Sequence, residues 1–404
     1  MRKASWVLSA ALAVGWVGVA GGLLLTPVVA QAEQKVSVKV GVPLKAAAEA
    51  IQKKKWDVAL AKIKEADGTA GKTAFDQYKI NDLLWYVYLQ QGKNADAARV
   101  LEGNITSPEM PAAEKSARTK TLAQLYFRAG NYAKSQQVAK QYLQSNPGDR
   151  ELQLIVADAA YQLKDYKGAL AYADKLAKGG GTPSQELLQL ILRCNYELHD
   201  EAGSAAALDQ LLKFYPSKDT WERVIQGRLE ATKQDQELMA LYRLSETVGA
   251  LSKSRQYIDF TQMLVIGGFG AEGQRIMEKG IAANLFSGEE LTRAQRTLEA
   301  AKRKGDADRA ALPGAAAKLA AAKTGEDALT VGKLYFSTGD YAKAVPALQQ
   351  ALAKGGLADA DSANMLLGIA LVRSGNKAAA AKAFDAIKEP KMAQTGKLWK
   401  MASR

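Results

Sequence analysis

Cysteine and histidine are almost missing from this 404-residue chain, with one of each. A single cysteine rules out an internal disulfide. One of each is too few for a structural zinc site, which draws four such ligands. A Ser-His-Asp triad would have to be built on His199, which falls at a turn between two helical patterns and reads as a turn residue. Cys194 lies in the run LLQLILRCNYEL, whose helical apolar spacing makes it a small core residue. Strand patterning is also scarce: beyond Val36-Ser37-Val38-Lys39-Val40 there is no sustained alternation of β-branched and polar residues. Aromatics make up 7% of the chain against 48% hydrophobic residues, and alanine is abundant. This composition suits helices that approach closely through small side chains rather than one bulky core.

Charge is present mainly as an excess of one sign. The formal net charge is +13, spread along the chain with small clusters at Lys53-Lys54-Lys55 and Lys302-Arg303-Lys304. Spread charge of this kind reads first as a solvated surface. The sharper reading is attraction to an anionic polymer or membrane surface. No nucleic-acid-binding motif accompanies it, and no nucleic-acid partner is expected. At the N-terminus, Arg2 and Lys3 precede an uncharged stretch from Trp6 to Leu25. Pro27 and Ala30-Gln31-Ala32 follow. This order is that of a secretory signal peptide over residues 1–32, with cleavage after Ala32 and a periplasmic or secreted product that keeps no stable membrane span. Retention of the apolar stretch as an anchor is the rival reading.

The stretch from Ser116 to Pro147 organises the rest. Leu122, Leu125, Tyr126 and Ala129 recur at helical spacing, as do Val138, Ala139, Tyr142 and Leu143. Gly130-Asn131-Tyr132 turns between the two helices, and Pro147 ends the second. Asn131-Tyr132 is echoed 34 residues on by Asp165-Tyr166 and again by Asp340-Tyr341, while Gly339 and Gly375 stand 36 apart. Further pairs read as Val42 to Ala66, Lys79 to Leu101, Gln185 to Pro216, Trp221 to Val248, Gln256 to Ala282, Ala328 to Leu352 and Ala360 to Ile387. Glu289 to Lys304 reads as a charged helix capped by Ser287 with Glu290, and Met392 to Arg404 as a terminal helix whose Leu398, Trp399 and Met401 cover the last repeat.

A helix-turn-helix with a period near 34 resembles the tetratricopeptide repeat family. Gly332, Tyr335, Gly339, Asp340, Tyr341, Ala344, Leu348 and Ala351 fall where that family places its small and aromatic packing residues, as do Leu122, Tyr126, Gly130, Tyr132 and Pro147. The resemblance implies an all-α fold, an α-solenoid of antiparallel helix pairs in a TPR-like superhelix. The expected division is an N-terminal solenoid over 33–284, a charged helix with an Ala/Lys-rich connector over 285–325, and a C-terminal repeat pair with a capping helix over 326–404.

The resemblance also implies a concave face lined by the first helix of each pair, with the fifth, ninth, twelfth and thirteenth repeat positions pointing into it. Those are Lys120, Gln124, Phe127 and Arg128 in one unit, and Leu154, Asp158, Tyr161 and Gln162 in the next. Gln189, Arg193, Tyr196 and Glu197 follow, with Lys333 and Phe336 in the C-terminal part. Phe127, Tyr161, Tyr196 and Phe336 would form an aromatic row with Arg128 and Arg193 beside it, the residue types that anchor bound peptides. The other reading of these aromatics is packing between repeats. Lys120 and Gln124 only approximate the family's carboxylate clamp, so recognition of a peptide C-terminus is not expected.

Four local patterns remain. Gly268-Phe269-Gly270-Ala271-Glu272-Gly273 is a literal dinucleotide fingerprint, but the flanking pattern is helical and no second strand follows. Gly71-Lys72-Thr73 lacks the upstream glycine of a phosphate loop, which here is Ala66. Asn104-Ile105-Thr106 is a glycosylation sequon by pattern alone. Paired carboxylates such as Glu289-Glu290 sit at helix ends, where they complement the dipole. No catalytic residue, cofactor or metal is expected. The functional expectation is a non-enzymatic scaffold or adaptor of the bacterial cell envelope that binds a protein or peptide through its concave face. Binding of an anionic envelope polymer is the alternative, and a dinucleotide-dependent enzyme using Gly268 to Gly273 the remote one.

Overall fold

The computed structural model describes residues 35–403. The signal-peptide reading of 1–32 lies outside the described residues. Among those residues the regular structure is helical throughout, with no β-strand. Contacts divide the chain into two compact units, one ending at Lys115 and one beginning at Ser116.

In the first unit, α1 (Val38–Gln52) pairs with α2 (Trp56–Asp67), and α3 (Ala74–Gln90) with α4 (Asn94–Ile105). Val40, Ala47, Ala59, Ile63, Ile80 and Val87 bury their side chains between these helices. Thr73 begins α3 through a reciprocal capping box with Asp76, whose carboxylate also accepts from the Ser37 backbone N–H at 2.8 Å. Burial opposes the charge on Asp76, but these backbone donors outweigh it and hold the carboxyl below its usual range. Gly71-Lys72-Thr73 is therefore a loop running into a helix cap. Asn104, the acceptor of the sequon, is fully buried and inaccessible to a glycosyl transfer in the folded chain.

The second unit continues the helix pairs. The first of them are α5 (Ala112–Arg128) with α6 (Tyr132–Ser145), α7 (Arg150–Gln162) with α8 (Tyr166–Lys178), and α9 (Gln185–Glu197) with α10 (Glu201–Phe214). After them come α11 (Lys218–Ala231), α12 (Asp235–Thr247), α13 (Ser254–Ile266), α14 (Gly270–Ala282) and α15 (Gly288–Ala311). A 3-10 turn at Leu312–Gly314 leads to α16 (Ala315–Ala321). The last elements are α17 (Gly325–Ser337), α18 (Tyr341–Lys354), α19 (Ala360–Arg373), α20 (Lys377–Asp385) and α21 (Pro390–Ala402).

One local device repeats at the turns. A residue with left-handed backbone ends the first helix, and an Asn or Asp caps the second. Gly130, Gly339 and Gly375 take the first role at φ of 77°, 84° and 84°, as do Lys164 and His199 at 64° and 55°. The following residues Asn131, Asp165, Asp200, Asp340 and Asn376 each accept a backbone N–H three positions on. Such caps satisfy a donor that the helix cannot satisfy itself. Buried Ala139, Ala157, Ala169, Ala173 and Cys194 let the paired helices approach closely. Met263 to Ile266, which precede the glycine motif, are the end of α13.

Three expectations change. The charged helix runs past Lys304 to Ala311 as α15, with Gly305 and Asp308 buried, because Gly305 faces Ala271 of α14 at a close crossing. The Ser287 side chain makes no capping bond. Glu290 instead accepts from the Ser254 hydroxyl at the start of α13, at 2.9 Å. The terminal helix does more than cover the last repeat. Trp399 stacks on Phe384 with centroids 6.3 Å apart, but its indole N–H donates to the Ala240 carbonyl of α12 at 3.1 Å, and Thr395 donates to Glu237 at 3.2 Å. Helices far apart in sequence thus meet: α21 and α19 pack on α12, and α17 packs on α14.

Candidate partner-binding face

Alternate helices α5, α7 and α9 lie side by side, and the side chains of the sequence-predicted site meet across them. Lys120 of α5 pairs with Asp149 at 2.8 Å and with Glu151 of α7 at 2.9 Å, and Gln124 donates to the same Glu151 at 2.6 Å. Burial opposes the Lys120 charge, but the two carboxylates outweigh it and hold the ammonium above its ordinary range. Asp149 is lowered in return: its burial penalty is exceeded by the Lys120 bond and the Leu152 backbone N–H that it caps. Lys120 and Gln124 are therefore tied within the fold, and Gln124 is buried.

Between α7 and α9, Arg193 pairs with Asp158 at 3.6 Å and lays its guanidinium 4.8 Å from the Tyr161 ring centroid. The half-buried Tyr161 packs on Tyr166 at 5.3 Å and lies 3.5 Å from the carboxylate of Glu197. Burial, then Glu197, raises the Tyr161 phenol above its usual value, so it remains a neutral donor. Gln162 donates to Asp158 at 3.3 Å. Phe127 is half-buried and meets Tyr132 edge-on at 5.3 Å. Arg128, Gln189 and Arg193 are exposed, and Tyr196 presents 76% of its surface to solvent. Leu154 is half-buried. The result is a polar and aromatic face: a braced Asp158–Arg193–Tyr161 group, with Tyr196 and Arg128 free to meet another molecule.

Phe336 does not continue this row. It is fully buried, edge-on to Phe269 at 5.9 Å and to Tyr341 at 5.3 Å. The reason is a charge cluster that no local pattern announces. Glu272, fully buried at the start of α14, accepts from Arg243 of α12 through Nε at 3.1 Å and Nη2 at 2.7 Å, and from Arg373 of α19 at 3.0 Å. Arg243 lies 4.4 Å from the Phe269 centroid and 4.9 Å from that of Phe336, and Arg373 lies 5.3 Å from Phe336. Burial pushes the Glu272 carboxyl up, but the two guanidinium groups overcome it and bring it down to about 2. The clue was Glu272 itself, a charged residue inside the glycine motif.

The glycine motif also has a packing explanation. Gly268 takes φ of 86° at the turn. At Gly270 a Cβ would meet Lys304 and Gly305 backbone atoms at 2.5–2.6 Å, so α14 and α15 approach only because it is glycine. The Ala271 N–H, where a dinucleotide fold would bind pyrophosphate, donates to Asp308 and to Ser337, each at 3.2 Å. The chain's own carboxylate fills that position. With no strand among the described residues, the sheet of a dinucleotide-binding fold is missing there.

Two stretches, residues 120–185 and 329–394, match the tetratricopeptide repeat family. These stretches are tetratricopeptide repeats. Among solved structures, a tetratricopeptide repeat protein from Parabacteroides merdae shares 12% identity over 83% of this chain and 100% of its own, with a TM-score of 0.36. Pseudomonas aeruginosa pilF shares 16% identity over 48% of this chain and 97% of its own, at 0.28. The pentatricopeptide repeat protein PPR10 from maize shares 19% identity over 86% of this chain and 53% of its own, at 0.33. No curated protein sequence matches the chain.

The two tetratricopeptide stretches differ in what covers their first helices. In the second, α12 and the start of α14 lie on α17 and α19, so Phe336 and Arg373 at the twelfth and thirteenth repeat positions are spent on Arg243, Phe269 and Glu272. In the first, the thirteenth position gives Arg128 to solvent, and the equivalent twelfth position of the helix pair that follows, α9 with α10, gives Tyr196. A tetratricopeptide array is a protein-interaction scaffold by architecture, and here its open repeat face is that of α5, α7 and α9.

Proposed function

We propose that this protein is a non-enzymatic adaptor of the bacterial cell envelope that holds a protein or peptide on the face of α5, α7 and α9. The carrying observation is the contrast just described. Tyr196 and Arg128 stand exposed on one face, beside an Arg193 braced by Asp158 and Tyr161, while the equivalent face of the C-terminal repeats is filled by the chain itself. An exposed tyrosine on a face that also carries exposed arginines has the composition of an interface anchor, large in area and low in ordering cost. The envelope location rests on the charged start, apolar stretch and Ala30-Gln31-Ala32.

The test is affinity capture from an envelope fraction with wild type, Tyr196→Ala and Arg193→Ala. Tyr196 is so exposed that its truncation is expected to alter stability by no more than about 0.5 kcal/mol. Loss of an interface anchor costs about 2 kcal/mol or more of affinity. A partner held by wild type and lost by both variants at unchanged melting temperature supports the proposal. A partner retained by both overturns this face as the site. The intact mass of the native protein decides whether the chain begins near Glu33.

A further inference from the structure

A cavity of about 130 Å³ lies between α12, α17 and α19, with Phe269 also in its lining, on the covered side of the C-terminal repeats. That is the volume of roughly four waters. Its floor is apolar and buried, with Leu329, Met365 and Leu366 beneath it. Its charged groups are unequal. The carboxylates of Glu326 and Asp359 sit at the exposed rim and are already engaged: Glu326 accepts from the Ala358 N–H at 2.8 Å, and Asp359 caps α19 by accepting from the Ser362 N–H at 2.8 Å. Arg243 is ion-paired with Glu272. Lys333, half-buried in the wall with its ammonium 6.0 Å from the Phe269 centroid, has no carboxylate within ion-pairing distance. A bound anion would give this ammonium the ion pair that no carboxylate of the chain supplies.

We propose that this cavity binds a small aliphatic carboxylate, with the carboxylate on Lys333 and the hydrocarbon body on Leu329, Met365 and Leu366. The site is separate from the face of α5, α7 and α9, and its occupancy does not depend on a protein partner. A short chain suits the volume. The acidic rim disfavours a second negative charge at the mouth, so a monocarboxylate is preferred over a dicarboxylate.

The experiment is ligand-observed saturation-transfer NMR on the full chain with pentanoate, 1-pentanol and pentylammonium as separate probes, repeated with Lys333→Met and Lys333→Arg. Methionine keeps the helix propensity and the apolar stem while removing the charge, and circular dichroism checks that each variant is folded. Pentanoate is expected to bind wild type and Lys333→Arg. Its affinity for Lys333→Met is expected to fall about tenfold or more, the order of one hydrogen bond to a charged group. Binding of 1-pentanol as tight as pentanoate, undiminished binding to folded Lys333→Met, or no pentanoate signal with wild type would each overturn the site. Unchanged partner capture by Lys333→Met is the expected result if the two sites are independent.

Discussion

Replacing Glu272 by Gln tests the idea that one buried carboxylate holds the C-terminal repeats against the middle helices. The change is nearly isosteric, but it leaves Arg243 and Arg373 buried without their shared counter-charge. Two estimates of the cost agree. The carboxyl falls from an ordinary 4.5 to about 2 on folding, which corresponds to about 3 kcal/mol at neutral pH. Breaking a buried ion pair from one side costs about 3–5 kcal/mol. The pH dependence has a definite sign. Because the folded pKa is lowered, the contribution is complete above pH 4.5 and is lost as pH falls from there towards 2. Wild type and Glu272→Gln are thus expected to differ by about 3 kcal/mol at pH 7 and to converge near pH 2. Urea unfolding across that range measures the gap. Hydrogen exchange locates it, with α14 and α19 losing protection first. A gap under about 1 kcal/mol at pH 7, or one that stays constant on acidification, would refute the reasoning.

The glycines of the motif give a second test by stability alone. Gly270→Ala drives a methyl into Lys304 and Gly305 backbone and should cost about 1–3 kcal/mol or more, whereas at Gly273 the nearest atoms are 3.5 Å away and alanine should be tolerated. A nucleotide site would instead lose ligand binding at both. Trp399→Ala removes a fully buried indole that bridges Phe384 and the Ala240 carbonyl. It should cost about 3–5 kcal/mol in thermal or urea unfolding, and a loss below about 1 kcal/mol would mean that α21 is not docked on α12. Salt separates the two binding modes: charge screening acts within about 8 Å at physiological ionic strength. A partner seated on Tyr196 and Tyr161 should stay bound at moderate salt, and elution of every captured molecule there would favour the anionic polymer.

The fold was legible because its determinants are local. Apolar spacing fixed the helices, Gly130-Asn131 and its echoes fixed the turns, and a period near 34 fixed the solenoid. Lys164 and His199 show where the pattern dims. They take the left-handed backbone that glycine takes elsewhere, so the glycine period skips two repeats while the Asp cap after each persists. Of the candidate site, repeat position alone placed Asp158, Tyr161 and Arg193 on neighbouring helices, where the structure brings them into contact. It did not show that Lys120 and Gln124 would be bound to Asp149 and Glu151, nor that Phe336 would be enclosed. Helix periodicity reports only which face of a helix is apolar. It carries nothing about which element, over a hundred positions away, will cover that face. That choice was made by the tertiary structure, because Glu272 must be paired once buried, and the guanidinium groups that pair it belong to α12 and α19.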